Sequence, residues 1–168
     1  MLMPPGVRRF ALTAHVVSSV GWLGAIAVFL ALSLAGLMAD EARAVRAAYL
    51  AMDLAAWSVL VPLALASLLT GLVQGLGTNW GLFRHYWVLA KLLLTGVATL
   101  VLLAYTQTIS SIAGVAEQNA PLEDVRNLSP ALHAAVAVVV LLTTTALAIY
   151  KPRGLTRYGW RKQHEQRG

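Results

Sequence analysis

Polar residues interrupt the apolar pattern in only three places between residues 10 and 150, leaving apolar runs at 10–38, 50–76, 87–113 and 131–150. Each run meets or exceeds the ~20 residues an α-helix needs to cross about 30 Å of hydrocarbon. In lipid the backbone must satisfy its own hydrogen bonds, and over uninterrupted runs of this length only a helix does so. The pattern predicts an all-α, polytopic integral membrane four-helix bundle, up-down-up-down, as a single membrane domain over 1–168 with a basic tail at 151–168. No second folded domain fits outside the spans.

Within the spans, Pro62 predicts a kink in the second, with neighbouring helices or water taking up the freed carbonyl. Gly71 and Gly75 form a GxxxG pair that permits close helix approach, and Gly21 and Gly24 have a similar place in the first span. The longest connection, 114–130, is polar and acidic, and Asn127-Leu-Ser129-Pro130 reads as the cap opening the fourth span.

Composition supports the membrane class, since 58% of the 168 residues are hydrophobic and only 12% charged. Arg8-Arg9 before an apolar run resembles a secretory signal, but that run is about twice the usual 7–15 residue core, so it reads as a retained first span. Cysteine is absent, which removes disulfides, thiolate metal sites and thiol redox chemistry and leaves the compartment open.

Charge adds a direction. Arg8, Arg9, Arg84, Lys151, Arg153, Arg157, Arg161, Lys162 and Arg167 fall on the side that holds both termini. Arg43, Arg46 and Arg126 fall on the other, against Asp40, Glu41, Glu117, Glu123 and Asp124. The bias predicts both termini in the cytoplasm. Net charge of +6 therefore reports topology, and the tail, with Tyr158 and Trp160 among its basic residues, is expected to meet anionic membrane lipid rather than nucleic acid.

Two ionisable residues sit inside spans, where they are costly and by default mark a functional site. His15 lies five residues past Phe10 and Lys91 seven past Arg84, which puts both ~7–10 Å inside the same boundary at the helical rise per residue. His15, Ser18, Ser19 and Trp22 share one helix face; Arg84, Trp87, Lys91, Thr95 and Thr99 share another; Ser67, Thr70 and Gln74 line the end of the second span. The ordinary readings are a snorkelling Lys91, threonines bonded to their own helix, and a neutral His15 bonded to a hydroxyl or carbonyl. A ligand to haem iron or another metal competes for His15. His85, beside Tyr86 and Trp87, reads as an aromatic-belt residue or a ligand, and His164 as a solvated tail residue. His133 and Asp53 lie near the opposite boundary and are expected to hydrogen-bond each other. His15 and His133 enter from opposite sides and are not expected to share one iron.

His15-Val-Val-Ser-Ser-Val-Gly-Trp22-Leu-Gly24 resembles the first-span pattern of the HemJ-type protoporphyrinogen oxidase family. Pro62 with Thr70-Gly71-Leu72, Tyr86-Trp87-Val-Leu-Ala-Lys91-Leu and Arg126-Asn-Leu-Ser-Pro130 resemble its later spans. CopD-like and uncharacterised four-span bacterial families share the first-span pattern. The resemblance implies a bacterial inner (plasma) membrane protein in which His15 ligates haem b and Lys91 is the essential, candidate catalytic residue. Ser19, Trp22, His85, Trp87 and Thr95 are the further cofactor-binding candidates. The chain departs from the family at Phe29 to Met38, which carries neither its basic residue nor its second histidine.

Two functions follow from different classes. Either the bundle binds haem b in its cytoplasmic half and acts in electron transfer or as a membrane oxidoreductase, with a redox partner protein or a quinone-like or tetrapyrrole reductant. Or it is a cofactor-free scaffold, assembly subunit or small permease with a structural His/Lys/Thr network. Copper has no sulfur-rich site in the sequence, and homo-oligomerisation is left open.

Overall fold

The computed structural model describes residues 3–77, 82–118, 120–152 and 154–165. The chain forms α1 (Pro5–Met38), α2 (Ala42–Gly77), α3 (Tyr86–Glu117), a single turn α4 (Leu122–Val125), α5 (Ser129–Tyr150) and α6 (Arg157–Glu165). Among the described residues, four helical segments are long and apolar enough to cross a membrane: α1, α2, α3 and α5 with the turn before it. Short connections make neighbours antiparallel. Each long helix packs on the next, and α5 closes the ring on α1, so that α1 and α3, like α2 and α5, stand at opposite corners.

The outside of the ring is as apolar as the inside. Phe10, Val20, Leu54, Leu69, Leu93, Leu100, Val136 and Ile149 are all exposed on long helices. A helix apolar all round belongs in lipid, and the protein is a multi-pass integral membrane protein.

Helix ends differ from the apolar runs where the sequence turns amphipathic. α2 starts at Ala42 rather than 50, because Val45, Ala48, Tyr49 and Met52 recur at helical spacing and bury one face although the stretch also carries Arg43, Arg46 and Asp53. α3 runs on to Glu117, and α4 takes up part of the expected loop at 114–130. The Asn127 side chain accepts the backbone N–H of Ser129 at 2.8 Å, opening α5 where the sequence places its cap.

The expected kink at Pro62 takes the form of a π-helical turn over Ala56–Leu60. A proline at 62 has no N–H for the carbonyl of Ser58, and its ring crowds that carbonyl. Widening the preceding turn relieves the clash, and the Val61 N–H reaches back five residues to Ala56.

The core lies in the half of the bundle away from the termini. Trp22, Ile26 and Phe29 of α1 meet Tyr49, Met52 and Leu60 of α2, Ile109 and Ile112 of α3, and Ala134 and Leu141 of α5. Between apolar helices in lipid, close packing and hydrogen bonds rather than water exclusion hold such an interface. Most polar groups here are paired, the Arg46 Nε–H being left without an acceptor. Tyr49 donates to the Asn127 carbonyl at 3.2 Å and accepts the Asn127 N–H at 2.8 Å, while Arg46 and Arg126 donate to the carbonyls of Ala120 and Ala39.

The expected His133–Asp53 bond is not formed. α2 and α5 stand at opposite corners, and each residue turns to α3 or to its own helix. Asp53 accepts from Ser110, which accepts from Trp57, and His133 bonds Ser129 and stacks on Tyr105 with ring centroids 3.9 Å apart.

Candidate functional site

In the half that carries the termini the four long helices do not close on one another. They surround a cavity of about 700 Å³, within the range typical of small-molecule and cofactor sites. All four contribute, and its walls are mostly apolar.

α1 and α2 are joined along this cavity by hydrogen bonds. The Nδ1 of His15 lies 3.1 Å from the Ser67 carbonyl and 3.1 Å from the Thr70 hydroxyl. Thr70 gives its own proton to the Ala66 carbonyl at 2.6 Å, so both neighbours of Nδ1 act as acceptors. Nδ1 therefore carries hydrogen, and in the neutral ring the lone pair is on Nε2. A ring anchored through Nδ1–H on a backbone carbonyl is how proteins orient a histidine whose other nitrogen binds a metal. The Ser19 and Ser67 hydroxyls are 2.7 Å apart, and Gln74 donates to the Ala11 carbonyl. Gly71 makes room for this contact, since a Cβ there would sit 3.2 Å from the His15 ring.

The other glycines differ in use. A Cβ on Gly75 would meet Leu82, and one on Gly21 would meet Leu63, whereas Gly24 has nothing within 4 Å and takes no part in close approach.

Of the residues singled out in the sequence, His15, Ser19, Trp22, Trp87, Lys91 and Thr95 all line this one cavity. His85 does not. Its backbone pairs with Leu155, and its ring lies tilted beside Trp87 with centroids 6.3 Å apart. Thr99 donates to the Thr95 carbonyl, the ordinary use of a threonine inside a helix.

Four polar cavity residues were not legible as such: Arg8, Thr144, Thr145 and Lys151. Arg8 precedes His15 by seven residues, two helical turns, and that spacing is the signal that could have found it. Lys151 has φ 43° and ψ 62°, a left-handed conformation that ends α5 just before Pro152. Only the tertiary structure turns it toward the cavity.

The charge of the lining is one-sided. Arg8, Lys91 and Lys151 contribute cations, and among the described residues no Asp or Glu lines the wall. Among the described residues, Trp22, only 1% exposed, has an indole N–H with no acceptor. A mostly apolar chamber with cations, one spare indole donor and a lone imidazole nitrogen suits a flat or elongated apolar molecule that carries anionic groups.

No three of His, Asp and Glu come together among the described residues. A metal held by protein side chains alone would need such a group, but an iron held by a porphyrin needs only an axial nitrogen. Arg153 and Arg167 lie outside the described residues, as does the side chain of His164. Compared with protein-family models, with curated proteins and with solved structures, the chain matches none.

Proposed function

We propose that this integral membrane protein binds haem b in the cavity between its four spans and serves electron transfer or a membrane oxidoreductase reaction. The single observation that carries the reading is His15, fixed through Nδ1–H to the Ser67 carbonyl beside a cavity of about 700 Å³. Nε2 of His15 would be the axial ligand. Arg8, Lys91 and Lys151 would meet the two propionate carboxylates, and Trp87, Leu68 and Leu92 would cover the apolar ring. Haem supplies one-electron chemistry whose potential follows from its axial ligand and the polarity of its pocket. The likeness of the spans around His15 and Lys91 to the HemJ-type pattern supports the same occupant, and with termini in the cytoplasm the propionates would face that side.

The bonds of His15 to Ser67 and Thr70 also favour a second reading, a cofactor-free bundle in which the histidine only ties α1 to α2. The visible spectrum of the purified, detergent-solubilised protein before and after dithionite separates the two. A Soret band with reduced α and β bands, lost in His15→Gly and restored by added imidazole, is the expected result. A protein that stays colourless after haem reconstitution, with His15→Gly folding normally, overturns the haem reading.

A further inference from the structure

A second recess lies at the same end of the molecule and shares no lining residue with the cavity. It measures about 620 Å³ and is lined by Tyr86, Leu155, Arg157, Trp160 and Arg161. The tail after α5 is read from sequence as a basic, lipid-facing extension, but part of it is a folded element docked on the start of α3. The Thr156 N–H donates to the Arg84 carbonyl at 3.0 Å, its hydroxyl donates to the Phe83 carbonyl and accepts the Gly159 N–H, and the Tyr86 N–H donates to Gly154. Gly159 is buried here and the position requires glycine, because a Cβ would sit 2.4 Å from the Arg84 carbonyl oxygen.

This docking holds Arg157 and Arg161 one turn apart on a single face of α6, where like charges repel. Among the described residues, no carboxylate lines the recess. The remaining lining is Tyr86, the first residue of a span, with Leu155 and the half-exposed Trp160, apolar bodies with polar edges of the kind that sit at headgroup level. Guanidinium groups match phosphate oxygens in a two-point fork. Cations a fixed distance apart, over an aromatic and aliphatic floor at the mouth of a membrane bundle, are complementary to an anion that has acyl chains attached.

We propose that Arg157, Arg161, Tyr86 and Trp160 form a specific site for the phosphate headgroup of an anionic glycerophospholipid, with its acyl chains lying along the exposed Phe83 at the end of the bundle. Bound lipid offsets the repulsion between the arginines and ties α6 to the membrane surface. The site is independent of any occupant of the central cavity.

Native mass spectrometry of the full chain in detergent, titrated with phosphatidylglycerol or phosphatidylcholine, tests it. The expected result is one phosphatidylglycerol retained in preference to phosphatidylcholine, with affinity falling by roughly tenfold or more in Arg157→Gln/Arg161→Gln. Arg157→Lys/Arg161→Lys should fall between, because charge is kept and the fork is lost. Arg43→Gln, at the other end of the bundle, should retain the lipid as the unaltered chain does. Gly159→Val keeps every charge but displaces α6 from Arg84, and it too should lose the lipid while the four spans keep their helical signal. Equal retention in the double glutamine variant overturns the proposal. Retention in Gly159→Val overturns it as well, by showing that tail charge alone suffices without a recess. Displacement of the lipid by millimolar inorganic phosphate reassigns the recess to the free anion.

Discussion

In the half of the bundle away from the termini, Val45, Met52 and Val125 have no exposed surface, whereas in the half that carries the termini the same four helices stand around a cavity of about 700 Å³. The distant half places large side chains from every span in contact and pairs Tyr49 with Asn127 in both directions. The near half brings together Arg8, Lys91 and Lys151 with no carboxylate among the described lining residues. Cohesion is concentrated at one end so that the other can stay open, a division helices can support because each runs through both halves. Membrane helices gain little from water exclusion once inserted, so the packed half must hold the bundle by contact and hydrogen bonds.

If that division is right, substitutions should separate by half. Met52→Ala removes a fully buried side chain from the packed end and should destabilise by about 3 kcal/mol, read from denaturant unfolding in detergent, while Leu92→Ala on the cavity wall costs a small part of that. Equal costs would mean that the cavity half contributes as much to cohesion as the core. Tyr49→Phe removes both hydrogen bonds between the Tyr49 hydroxyl and the Asn127 backbone, and a loss of about 1 kcal/mol in the same measurement is expected. His15→Ala breaks the ties to Ser67 and Thr70 and should cost only about 0.6 kcal/mol in stability, yet abolish the haem spectrum. A large stability loss with an unchanged spectrum would reverse that assignment. An effect of opposite sign sharpens the contrast most: Lys151→Gly relieves a left-handed residue and should raise stability by about 0.5 kcal/mol, while weakening haem binding in a reconstitution titration.

The architecture was legible because lipid imposes a simple code. Four long apolar runs have one low-energy solution, and the structure adopts it with helix ends extended where Ala42 to Met52 and the residues up to Glu117 become amphipathic. The site was partly legible for a related reason. An imidazole and an amine in apolar runs are anomalies, and helical periodicity carries Ser19, Trp22, Trp87 and Thr95 onto the same wall as His15 and Lys91. What failed depended on which helices are neighbours. His133 and Asp53 have matching depth, but depth does not say that their helices occupy opposite corners. His85 lies close in sequence to Trp87 and Lys91, yet its backbone is taken up by Leu155 from the far end of the chain.

By itself the sequence determined a membrane class, four helical spans, a shared end for most of the basic residues and two polar stripes around His15 and Lys91. These follow from hydropathy and from the rise and period of one helix, both local properties. The tertiary structure decided the cyclic order of the helices, the proton position on His15 set by Ser67 and Thr70, the convergence of Arg8 and Lys151 on the cavity, and the docking of α6 against Arg84. Each of these is a relation between segments distant in sequence, and chain-local periodicity carries no information about which faces meet.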